Sequence, residues 1–159
     1  MPGEYKFADM YSRIKTLLGS CVAMVFWHPQ KRIGSMSHIV LPSRHFKGQL
    51  DARYADEFMI ILLQEMKARG THPREYQVRL FGAANMFKTL KSTCADSGLH
   101  PVQPCEGCIN VSCRNRLAAL SETRKYGFNV VESDMGGTGY RQVEFDISDG
   151  KTMVRTVTT

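Results

Sequence analysis

Hydrophobic and polar positions along the chain follow two periods, and the switches between them mark its elements. The run Val22 to Trp27 is apolar at every position, as in a strand buried on both faces, and it stops at the turn chemistry of His28-Pro29-Gln30-Lys31-Arg32. A second extended stretch, Ser35 to Leu41, is closed by Pro42, so the two predict a hairpin. Ser43 to Asp51 is polar and reads as a surface loop. From Tyr54 the apolar residues Phe58, Ile61, Leu62 and Met66 recur at helical spacing until Gly70 ends them. Gln77 to Phe81 reads as a short strand leading into Gly82-Ala83-Ala84. A second helix is predicted from Ser112 as N-cap to Gly127, with Leu117 and Leu120 facing inward. Strands then resume in Phe128 to Glu132 and Gln142 to Ile147. Ser148-Asp149-Gly150 signals a hairpin into Thr152 to Val157. Mixed strands and helices with no repeat predict a layered α/β class.

Composition narrows this picture. At 159 residues and 43% hydrophobic content, one globular domain over 1–159 is expected, with a core that needs no staples. The net charge of +6 points to an acidic partner surface. The cations are scattered and not interleaved with aromatics, which argues against nucleic acid. The longest apolar runs, Val22 to Trp27 and Phe58 to Leu63, are far too short to span a bilayer, and the start lacks the look of a signal peptide. A cytoplasmic protein without membrane insertion is expected, in which an odd count of five cysteines reads as thiols or ligands before disulfides.

One thiol is placed unusually. Cys21 follows the small corner Gly19-Ser20 at the head of the apolar strand. A thiol is a nucleophile only when its pKa falls or a base takes its proton. His28 lies seven residues along the same strand, ~23 Å away at about 3.3 Å per residue. His38 is the better base. With a two-residue hairpin loop it would sit opposite Cys21, and with the four-residue loop Pro29 to Arg32 opposite Ala23; either even loop leaves thiol and imidazole on one face within about 8 Å. Taken alone, the pair still reads more simply as a small buried thiol and a core histidine.

Several dispersed segments change that balance. Pro2-Gly3-Glu4-Tyr5, "LLGSCVAMVFWHP", "IGSMSHIVLP" with His38 seventeen residues after Cys21, "ARYAD", "FGAANMF", Arg114-Asn115 and "DMGGTGYRQVEF" follow in order. In these the chain resembles the bacterial chemoreceptor glutamine deamidase family, CheD, across nearly its whole length. The resemblance implies a layered sandwich of mixed sheet and helices, similar to the catalytic domain of deamidating toxins. It also implies a Cys-His site that hydrolyses glutamine side chains of methyl-accepting chemotaxis receptors, and in some members receptor glutamyl methyl esters. Cys21 would attack the amide carbon, His38 would accept and return the proton, and a thioester would be opened by water. Backbone N–H groups of Gly19-Ser20-Cys21 are the candidates for stabilising the oxyanion. No cofactor is implied, and a CheC-type phosphatase is a further expected partner. A non-catalytic adaptor is the alternative; retention of Cys21 and His38 argues against it.

The family pattern carries a threonine six residues before the cysteine, where it orients the histidine. Here Lys15 occupies that place and Thr16, the third candidate catalytic residue, follows one position later. In an extended stretch the two point to opposite faces, so a one-place shift does not restore the threonine unless the strand bulges. The expectation is an orienting role lost or passed to a backbone carbonyl, with Lys15→Thr faster and Thr16→Ala neutral. Cys94, Cys105, Cys108 and Cys113 cluster, and Cys105-x-x-Cys108 has ligand spacing with His100 nearby; a single tight pair favours plain loop cysteines over a structural zinc or a regulatory or adventitious dithiol. Asp134 to Gly139 lacks the ending of a phosphate loop and reads as a turn.

Overall fold

The structure is a computed structural model that describes residues 2–46, 48–86 and 109–157. Among these, eight strands and two α-helices follow in the order β1 (Tyr5–Asp9), β2 (Arg13–Leu18), β3 (Val22–His28), β4 (Ile33–Ile39), α1 (Ala55–Ala68), β5 (Gln77–Gly82), α2 (Val111–Lys125), β6 (Asn129–Met135), β7 (Tyr140–Asp146) and β8 (Thr152–Val157). A five-stranded sheet runs β1-β4-β3-β5-β6 and a three-stranded sheet runs β2-β7-β8. Only β5 and β6 pair in parallel, so the larger sheet is mixed.

Strand β3 explains the layering. Val22, Met24 and Phe26 pack with Phe58, Met59 and Leu62 of α1 and Ala119 of α2, so the helices cover one face. Ala23 and Val25 pack with Leu18, Val143 and Phe145 of the smaller sheet, which covers the other. A strand sandwiched in this way must be apolar at every position, which is the unbroken run seen in the sequence. Each fully buried Phe, Leu or Met side chain contributes about 1.5–3 kcal/mol. The two sheets are also tied by polar bonds. Trp27 Nε1–H donates to Ile147 O at 2.9 Å, and the Arg141 guanidinium of β7 grips Asp134 of β6 through two bonds of 2.9 and 3.2 Å.

Helix α1 begins after Tyr54 and ends before Gly70, whose φ of +63° suits a residue without Cβ. Helix α2 departs from expectation. Its N-cap is Asn110, whose Oδ1 accepts the Ser112 N–H at 3.0 Å; Ser112 itself lies inside the helix. Its buried face is Ser112, Asn115, Ala119 and Thr123, not Leu117 and Leu120. Small and polar side chains let the start of α2 come close enough for Asn115 to reach the main chain of the sheet. Leu120 packs only partly on the core, and Leu117 lines a surface groove. Strands β1 and β2 have no counterpart among the predicted elements, because each is short and alternates with charges. No helix of the described residues is long and apolar enough to cross a membrane.

Candidate active site

The hairpin loop is the four-residue one, and His38 pairs with Ala23 in the register of β3 and β4. Cross-strand partners share a face, so the imidazole lies on the face of Ala23, and Cys21 stands two residues before Ala23 in the bend at the head of β3. Both face the seam between the two sheets, the side on which Ala23 and Val25 pack.

The main chain around each is pinned. Gly3 N–H donates to His38 O at 3.0 Å and His38 N–H donates to Glu4 O at 2.9 Å, which gives the Pro2-Gly3-Glu4-Tyr5 start a concrete role in fixing the histidine. At the corner, Gly19 O accepts from Ala84 N–H at 2.9 Å, Ser20 O from Asn115 Nδ2 at 3.1 Å, and Cys21 O from Ala83 N–H at 2.7 Å. Gly82 makes the last contact possible. Its φ is +112°, and a Cβ there would collide with Cys21 O. In a trans peptide the N–H points opposite the C=O, so anchoring the Gly19 and Ser20 carbonyls inward turns the N–H groups of Ser20 and Cys21 away from those anchors. Neither finds an acceptor among the described residues.

Thr16 completes the constellation. Its Oγ1 lies 2.7 Å from His38 Nδ1, which leaves Nε2 as the nitrogen with no such tie. Strand β2 is extended without a bulge, its register with β7 running unbroken from Arg13↔Asp146 to Leu18↔Arg141. Lys15 and Thr16 do point to opposite faces, but the residue turned inward is Thr16. Lys15 is largely exposed and pairs with Glu144 at 3.0 Å. The expectation of an orienting group lost at this place is therefore corrected. The spacing of six residues before Cys21 assigns the inward position to Lys15, whereas in β2 the inward position is the one five residues before Cys21.

Burial sets the electrostatics. His38 is 4% exposed, and desolvation pulls its pKa from 6.5 down to about 4. Cys21 is half-buried and its thiol is pushed up by the same cause, opposed by a hydrogen bond from Ser20. At neutral pH the resting pair is thus thiol and neutral imidazole. Met86 and Tyr140 stand beside Gly19, where an added Cβ would meet them at 3.3 and 3.4 Å. Asn115, Arg141 and Asp134 were visible in the sequence only as parts of segments without assigned roles. Among the described residues no cluster of three or more His, Cys, Asp or Glu side chains could hold a metal ion. Cys94, His100, Cys105 and Cys108 lie outside the described residues, and Cys113 sits in the first turn of α2.

The chain is thus a layered α/β sandwich with a half-buried thiol, Cys21, and the hydrogen-bonded pair Thr16 and His38 on the side of the larger sheet that meets the smaller one. The family model described as "CheD chemotactic sensory transduction" matches residues 40–156. Proteins named "Probable chemoreceptor glutamine deamidase CheD" from Pseudomonas fluorescens (strain SBW25) and Pseudomonas syringae pv. syringae (strain B728a) are each 44% identical over 155 residues, covering 97% of this chain and 81% of theirs. One from Leptospira interrogans, "CheD 1", is 30% identical over 157 residues, covering 96% of this chain and 88% of its own. The chain belongs to the CheD family.

Proposed function

We propose that this protein is a cysteine amidohydrolase that converts particular glutamine side chains of chemotaxis receptors to glutamate. The observation that carries the reading is the 2.7 Å contact of Thr16 Oγ1 with His38 Nδ1, on a histidine paired across the hairpin with Ala23, two residues along the chain from Cys21. A neutral imidazole tied at Nδ1 offers Nε2 as proton acceptor. Cys21 Sγ bonds to the glutamine Cδ as its proton passes to His38, and the carbonyl electrons move onto oxygen. The N–H groups of Ser20 and Cys21 are the donors for that oxyanion. Collapse breaks the C–N bond while the imidazolium returns its proton to nitrogen, so ammonia leaves and a thioester remains. Water then adds to the thioester with His38 as base. The second collapse expels the thiolate, releases glutamate and returns the proton to sulfur.

Neutral resting groups suit this sequence, because the proton moves only when sulfur bonds to carbon. The same acylation applies to a glutamyl methyl ester, with methanol in place of ammonia as the leaving group. Binding of a CheC-type phosphatase belongs to the reading as a second partner, and the net charge of +6 favours acidic receptor surfaces. The test is mass spectrometry of a receptor cytoplasmic fragment after incubation, each deamidated glutamine gaining about 1 Da. Cys21→Ala and His38→Ala should each abolish the gain with the fold retained by circular dichroism. Undiminished conversion by either variant would remove that residue from the mechanism.

A further inference from the structure

Asn115 is fully buried on α2, a helix that packs against the face of the larger sheet opposite the seam. Its Nδ2 nevertheless donates to two main-chain carbonyls of the site, Ser20 O at 3.1 Å and Val40 O at 2.9 Å. Both lie just past the last rung of the β3–β4 ladder, Val22↔Ile39, where the strands cease to bond each other. Ser20 immediately precedes Cys21, and Val40 stands two residues beyond His38. The two hydrogens of one side-chain amide thus replace a missing rung between the strand that carries the thiol and the strand that carries the imidazole. Its Oδ1 is buried with no partner among the described residues. A buried acceptor left unpaired destabilises the fold, so packing alone does not account for an asparagine here.

We propose that Asn115 is a positioning residue for the amide hydrolysis, with two effects, and the assignment rests on the deamidase reading above. It holds the Ser20 carbonyl, and because that carbonyl and the Cys21 N–H belong to one trans peptide, it aims the Cys21 N–H at the oxyanion. It also sets the spacing of the two strand ends, and through them the approach of Cys21 to His38. Asn115 itself touches neither substrate nor reacting atoms.

The test is Asn115→Leu, which has a similar shape and no donor. Two rates are compared with wild type: ammonia release from a receptor cytoplasmic fragment, and alkylation of Cys21 by iodoacetamide at alkaline pH, which needs the thiolate but no oxyanion site. The expected result is a kcat lower by about 100- to 1,000-fold, the range for a lost oxyanion donor, with KM and the alkylation rate within about threefold. If Asn115→Leu does not fold, Asn115→Ser, which keeps one donor, is read in the same assays and should show the same split with a smaller loss. Equal falls in alkylation and turnover in a folded variant would make the role purely structural and overturn the assignment. An unchanged kcat would do so as well. A wild-type chain with no turnover on glutamine would overturn the deamidase reading and this role together, whereas wild-type turnover with an undiminished variant overturns the role alone.

Discussion

At Lys15 and Thr16 two adjacent side chains divide between solvent and site, and the division is open to measurement. Thr16 tethers His38, so Thr16→Ala frees the ring to rotate and should lower kcat by about 10- to 100-fold, the range typical for loss of a histidine's orienting partner. Thr16→Ser keeps the hydroxyl and should retain most of the activity. Lys15 pairs with Glu144 on the outer face, an exposed pair worth about 0–1 kcal/mol, so Lys15→Thr should leave the deamidation rate within about twofold. A rise of tenfold in Lys15→Thr, with Thr16→Ala unchanged, would contradict the geometry of β2. The even hairpin loop that puts His38 opposite Ala23 was among the lengths read from the sequence, but Cys21 and His38 alone read as core residues, and it was the family resemblance that made them candidates. Asn115 was not legible, since its contact with Ser20 spans 95 positions of sequence and no local pattern announces a side chain that bonds main chain so far away.

Among the elements, legibility followed burial. Strand β3, covered on both faces, and α1, with a continuous apolar stripe, were readable because packing imposes their periods. Strand β2 alternates exposed and inward positions beside a sheet formed with residues more than a hundred positions away, and nothing local distinguishes it from a loop. The inward face of α2 was misassigned to its leucines because close approach, not apolar area, governs that contact. The end of β5 offers a test of the same principle. Gly82 combines a φ of +112° with contact against the carbonyl of Cys21, so Gly82→Ala must strain its backbone and displace the corner together. Stability should fall by about 1–3 kcal/mol in urea unfolding, and turnover should fall with it because the thiol moves. A variant as stable and as active as wild type would show that the corner relaxes freely.

For the whole molecule, burying a neutral histidine couples stability to acid. The unfolded chain protonates His38 near its ordinary pKa of 6.5, whereas the folded chain resists until about 4. Between these values the unfolded state holds more protons, so stability is complete above about pH 6.5 and declines as pH falls toward 4, by about 3 kcal/mol in all. Urea midpoints at neutral and acid pH should show this loss, and His38→Gln should remove that component; an identical acid loss in the variant would assign it elsewhere. The location of Thr16 has a different consequence, one of timing. Its strand is held in its sheet by β7, residues 140 to 146, while Cys21 and His38 belong to the first forty residues of the chain. A chain emerging from the ribosome therefore presents Cys21 and His38 long before the strand of Thr16, whose hydroxyl bonds the imidazole, has its partner. On the proposed mechanism, a chain truncated before β7 carries Cys21 and His38 but has no partner strand to hold Thr16 against the imidazole.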